Sequence, residues 1–155
     1  MAKPVPSAGL VIRYDYLWVS EEARGREEGA KVRACAVVIA MPPTGTAPQR
    51  ALLCGITHSE PALPDEGIEV PIAVKRHLGL DDERSWIITS ELNIVDWDDP
   101  GIVPIAPGQW VHGFLPPMLA EQIKAKALAR LNAKKLSMVD RPQIEKKRAE
   151  RGSGN

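Results

Sequence analysis

Arg33 ends a glycine-bounded, highly charged run and opens an apolar one. In GREEGAKVRACAVVIA, residues 25–40, the charge stops at that arginine and a strand-like segment begins. A guanidinium keeps its charge at any physiological pH and offers a planar fork that fits two phosphate oxygens. Fixed at a strand edge, it is a clamp for an oxyanion; its simpler use is an ion pair with Glu27 or Glu28. A second stretch, CGITHSEP (54–61), also runs from apolar residues into polar ones. Thr57 and Ser59 can donate hydroxyl hydrogen bonds to a developing oxyanion, a contact worth about a hundredfold or more in rate, or can serve only to form a turn. His58 between them can move protons near neutral pH, or can be a plain surface group. Glu91 in SELN can act as a general base where its surroundings raise its pKa, or can bind a backbone turn or Arg33. Glu27, Arg33, Thr57, His58, Ser59 and Glu91 are therefore the polar residues expected at strand ends.

Other chemistries have little support. GxGxxG, Walker, GxSxG and HExxH patterns are absent, and with them the common cofactor sites. Cys54 and His58 are four residues apart, but Cys35 and His112 are remote, so paired zinc ligands are lacking and neither metal nor cofactor is expected. Trp18, Trp86, Trp97 and Trp110 can stack on bases, although core or dimer-interface packing is the commoner use.

These residues must be positioned by a small framework. The chain has 155 residues, 44% hydrophobic and 26% charged, which suits one soluble domain with its own core. No apolar run is long enough to cross a bilayer and MAKPVPSAGL lacks a signal-peptide core, so a cytoplasmic protein is expected. Cys35 and Cys54 lie inside apolar runs and read as reduced, buried residues. The formal net charge is zero but unevenly spread: from Leu115 onward there are ten Lys or Arg against four Asp or Glu. Such a basic end can meet phosphates or an acidic partner, or can simply be solvated.

Fourteen prolines and twelve glycines punctuate short segments, which predicts a small, mainly β barrel with helices. Leu10, Ile12, Tyr14, Tyr16 and Trp18 alternate with their neighbours as in a half-buried strand. The charged segment 20–31 is expected to be a loop. Further strands are expected over 33–41, 50–57, 67–71 and 85–89, with 93–97 continuing or turning. PIAVKRHLG, with proline at its start and Gly79 at its end, reads as a short helix. The alanine-rich segment 117–135, with Leu119, Ile123, Ala127 and Leu131 four apart, reads as a helix docked on the barrel. Residues 1–8 and 136–155 are left as flexible tails, the latter carrying at most a short peripheral helix.

In order and placement, GREEGAKVRACAVVIA, GITHSEP and SWIITSELNIVDW resemble the motifs of the PemK/MazF-like toxins of bacterial toxin–antitoxin pairs: an acidic glycine-bounded loop before arginine, a strand ending in a hydroxyl residue, and a later strand running into an acid. The likeness covers residues 9–97, and the helix at 117–135 fits the family's closing helix. It implies an SH3-like barrel over 9–135, usually a homodimer, acting as a metal-independent endoribonuclease and growth inhibitor. The implied substrate is single-stranded RNA, attacked by its own 2′-hydroxyl to leave a 2′,3′-cyclic phosphate, and the implied partner is a cognate antitoxin. By the same likeness Arg33 acts at the scissile phosphate, Thr57 holds the phosphorane, Glu27 assists from the loop and Glu91 stands near the acidic position of some members. Arg26, Lys31 and Ser59 are then expected to contact substrate, with His58 joining the catalytic set. This chain has one residue more than the family signature between Gly29 and Arg33, and Ala34 where that signature has proline. Two other readings are a non-catalytic SH3-like module that binds a protein through the surface around Trp97 and Trp110, and a regulator whose basic tail contacts nucleic acid.

Overall fold

The structure, a computed structural model, describes residues 3–153. Residues 1–2 and 154–155 of the expected tails lie outside the described residues. The strands are β1 (Leu10–Tyr14), β2 (Arg33–Ala40), β3 (Arg50–Thr57), β4 (Gly67–Glu69), β5 (Trp86–Ile88), β6 (Glu91–Asp96), β7 (Ile102–Val103), β8 (Val111–Phe114) and β9 (Ser137–Asp140). The helices are α1 (Val19–Ala23), α2 (Ile72–His77), α3 (Pro117–Asn132) and α4 (Arg141–Ser153), with a 3₁₀ turn at Pro64–Glu66.

The protein is mainly β, as expected, but the sheet does not close into a barrel. Its main path runs β4-β5-β3-β2-β1-β7, with β8 added to β1, β6 to β3 and β9 to β6. All pairings are antiparallel except β6 with β9. Two strands each serve two partners on one edge. The start of β1 pairs β8 and its end pairs β7, while β3 pairs β6 through Arg50–Leu53 and β5 through Ile56 and Thr57.

β2 is a continuous apolar run because both its faces are covered. Ala36 and Val38 pack on one side with Val11, Cys54, Ile56 and the α3 residues Leu119, Ile123 and Ala127. Cys35 and Val37 pack on the other with Ile12, Tyr14, Leu53 and Val95. The helix ends at Asn132 rather than Lys135, and Leu131 is exposed rather than part of the docked stripe.

Segment 20–31, expected to be a loop, begins inside α1 and buries Glu21. The Glu21 carboxylate accepts the backbone N–H of Trp18 at 3.0 Å and of Ala30 at 3.2 Å, tying the two ends of the charged stretch together. A larger departure is at the C-terminal end, where β9 and α4 occupy the segment expected to be a tail. Its anchor is Arg141, 4% exposed, which donates to the Asp15 carbonyl and, at 3.3 Å and 3.2 Å, to Asp15 Oδ2 and Asn93 Oδ1. Asn93 in turn grips Leu17, taking its N–H at 3.0 Å and donating to its carbonyl at 2.7 Å, as a neighbouring strand would. A basic composition thus conceals a buried polar anchor. At the other end, Trp97 Nε1 donates to the Pro4 carbonyl at 2.7 Å and the Lys3 ammonium lies over the Trp97 and Trp110 rings.

Candidate phosphate-binding pocket

β2 and β3 pair with Cys35 opposite Gly55. Continued by two residues, that register sets Arg33 opposite Thr57 on one face of the sheet. Both line a cavity of about 310 Å³ together with Arg13, Lys31, His58, Lys75, Asp81, Ser85 and His112. The two residues that the sequence reading put at the centre of the chemistry therefore share one pocket.

Arg33 is held by two contacts. Its guanidinium carbon lies 5.0 Å from the centroid of the Trp18 ring, and Nη1 reaches the Ile56 carbonyl at 3.5 Å. Nε is buried with no hydrogen-bond partner among the described residues. Thr57 Oγ1 accepts the Ser59 N–H at 3.1 Å, a turn-forming bond that leaves its own hydrogen free to donate. Ser59 contributes through that backbone bond and does not line the cavity.

The opposite wall is the loop after α2. Leu80 N–H bonds the Lys75 carbonyl and Gly79 N–H the Arg76 carbonyl, the Schellman closure of a helix, which needs φ of +68° at Gly79. The Lys75 side chain, 1% exposed, donates to Asp81 Oδ1 at 2.5 Å, to Ser85 Oγ at 2.7 Å and to the Glu83 carbonyl. Asp81 Oδ2 lies 2.8 Å from His58 Nε2, and Glu83 Oε2 is 3.3 Å from the same nitrogen. The Lys75 ammonium, followed by the His58 bond, holds the Asp81 carboxyl below its usual range. His58, Asp81 and Glu83 are the group of described residues whose donor atoms, all within 4.8 Å, could hold a metal ion. All three are exposed and Lys75 already occupies one Asp81 oxygen, so the group is better described as an ion-paired latch.

The pocket is cationic. Asp81 is the only carboxylate in its lining, and it is engaged by Lys75 and His58. Among the described residues, Arg13, Lys31 and Arg33 have no carboxylate within ion-pair distance. Three uncompensated cations around one cavity, with hydroxyl and imidazole groups between them, make a receptor for an anion.

Besides Ser59, three expected site residues lie outside this lining. Glu27 and Arg26 line a separate shallow concavity with Glu28 and Arg148. Glu27 pairs with Arg148 at 3.5 Å and with Arg151, while Glu28 meets Arg148 at 2.6 Å. The loop acids thus face α4 and not Arg33. Glu91 accepts the Val19 N–H at 2.9 Å; burial, reinforced by Glu21 and Glu66, raises its carboxyl above the ordinary range. It does not line the pocket. Conversely Arg13, Lys75, Asp81 and His112 were missed. Arg13 was visible as an outward position of the first strand's alternation; the others depend on tertiary placement.

Of the two tryptophans expected at a protein-binding surface, Trp97 is buried, with Nε1 bonded to the Pro4 carbonyl and Lys3 over its ring, and Trp110 is half-buried. Both cysteines are buried, unpaired thiols, and burial raises each well above the usual thiol range. No helix of the described residues is long and apolar enough to cross a membrane. Comparison with protein-family models, curated proteins and solved structures finds no match for this chain.

Proposed function

We propose that the protein is a metal-independent endoribonuclease that seats a phosphodiester of single-stranded RNA in the Arg33–Thr57 pocket. The observation that carries this reading is the cluster of Arg13, Lys31 and Arg33, for which the described residues supply no ion-pair partner, around the Thr57 hydroxyl. Arg33 would pair two non-bridging phosphate oxygens, and Thr57 would donate to the oxygen on which charge grows as phosphorus becomes five-coordinate. The nucleophile is the substrate's own 2′-hydroxyl, so the protein supplies no nucleophile of its own, and the product is a 2′,3′-cyclic phosphate. Asp81, held by Lys75, positions His58. Glu27 and Glu91, outside the pocket, take no part in the chemistry.

In this reading the chain is a relative of the PemK/MazF-like toxins, and its open sheet is a variation on their SH3-like barrel. A cytoplasmic growth inhibitor, dimeric and held in check by a cognate antitoxin, is the corresponding biology. Incubating the purified chain with RNA of mixed sequence in EDTA tests the activity. Cleavage by wild type, lost in Arg33→Ala and Thr57→Ala proteins of unchanged thermal stability, is expected; intact RNA from a folded wild type refutes it.

A further inference from the structure

We infer that His112 and His58 form the acid–base pair of the pocket, His112 taking the proton of the ribose 2′-hydroxyl and His58 delivering one to the departing 5′-oxygen. This rests on the reading of the pocket as a phosphodiester site.

The carboxylates first considered for proton transfer lie outside the cavity, and Asp81 within it is committed to Lys75. The two histidines are the remaining groups of the lining that change charge near neutral pH. Their tautomers follow from their partners. His112 Nδ1 is 3.1 Å from the Leu78 carbonyl, which can only accept. Nδ1 therefore carries the hydrogen and Nε2 keeps the lone pair of a base. His58 Nε2 is 2.8 Å from Asp81 Oδ2 and 3.3 Å from Glu83 Oε2, so Nε2 carries a hydrogen and Nδ1 is left for exchange with a substrate.

The charged groups that line the cavity with His112 are Arg13 on β1, Lys31 just before β2, Arg33 at the start of β2, Lys75 on α2 and one acid, Asp81, while the Leu78 carbonyl bonds its ring. Burial, assisted by Arg13, holds its imidazole below the ordinary range, partly offset by the Leu78 bond. The base form is thus present at neutral pH. His58 has a different setting, exposed between two carboxylates.

The step balances. The 2′-O–H proton passes to His112 Nε2, the 2′-oxygen bonds to phosphorus, and the bond from phosphorus to the 5′-oxygen breaks. The 5′-oxygen takes the Nδ1 proton of protonated His58. The products are a 2′,3′-cyclic phosphate and a 5′-hydroxyl, with His112 protonated, His58 neutral, and both reset by exchange with solvent.

Two measurements on the full chain test the pair. In ¹⁵N-histidine spectra, a nucleoside 3′-monophosphate is expected to shift the ring signals of His58 and His112 together, and Arg33→Ala to abolish both shifts. For cleavage, His112→Ala and His112→Gln should lower kcat by 10²- to 10⁴-fold with KM little changed and erase the acidic limb of the pH profile. The glutamine amide can still donate to Leu78, so it controls for folding. His58→Ala should lose comparable activity on RNA yet recover on a uridine 3′-nitrophenyl phosphate, whose leaving group needs no proton; His112→Ala should not recover. If wild type cleaves RNA but His112→Gln stays within threefold, or keeps the acidic limb, the pair is wrong and the nuclease reading stands. If wild type neither shifts with nucleotide nor cleaves, both fall.

Discussion

The Arg33 guanidinium lies over the Trp18 ring, 5.0 Å from its centroid, and Trp18 can take that position only because residue 55 has no side chain. A Cβ at Gly55 would stand 2.8 Å from the edge of the Trp18 ring and 3.2 Å from Tyr16. The glycine in CGITH therefore places the arginine of the neighbouring strand, by way of an aromatic ring from a third segment. Such a contact is worth about 0.5–2 kcal/mol depending on desolvation, but its larger effect is to fix the direction of the fork.

Gly55→Ala should displace Trp18 and cost about 1–3 kcal/mol, the usual range for overpacking. Cleavage should fall at least about tenfold, since small misplacements in a site cost up to about a hundredfold. Urea unfolding gives the first quantity and initial rates on RNA the second. A variant with full activity would separate Trp18 from the positioning of Arg33.

Glu91→Gln distinguishes a buried structural carboxylate from a catalytic base. The folded-state pKa of Glu91 is raised, chiefly by burial, so the native state binds more protons than the unfolded chain. Stability is therefore lost as pH rises from the ordinary glutamate value through the raised one. Glutamine keeps an acceptor for the Val19 N–H and removes the charge. The variant should melt higher than wild type at pH 7, with the gap closing as pH falls towards 4, and should cleave within about threefold of wild type.

Lys75→Met removes the donor shared by Asp81, Ser85 and the Glu83 carbonyl. Of these acceptors Ser85 is buried, and leaving a buried acceptor unpaired costs about 1–3 kcal/mol, so the urea midpoint should fall at unchanged slope. Because Asp81 and Glu83 hold His58, cleavage at saturating RNA should drop as well, whereas a lysine with only a structural role would change the midpoint alone.

Local pattern made much of this legible, and its limits are specific. β3 was readable residue for residue because turn-forming prolines and polar groups bound an apolar run at 50–57. That an arginine opening one strand and a threonine closing the next share a face follows from antiparallel register. Register says nothing of which charges an outlying helix will claim, so Glu27 and Glu28, a few residues before Arg33 in sequence, belong to Arg148 and Arg151 of α4. That helix was expected to be at most short and peripheral because its anchor is a single buried arginine, Arg141, in a segment whose composition reads as solvated charge. His112 lies in β8, where β1 shifts register between Val11 and Ile12. A bulged strand after a proline- and glycine-rich stretch offers no period to read.

The most direct test is the chemistry of the RNA ends made by the purified chain in excess EDTA. The account predicts cleavage products with 2′,3′-cyclic phosphate and 5′-hydroxyl termini, from RNA but not from a strand 2′-O-methylated throughout, and a loss of about 10²-fold or more in rate for Thr57→Ala. Uncut RNA, or 3′-hydroxyl and 5′-phosphate ends, from a folded wild-type protein would contradict it.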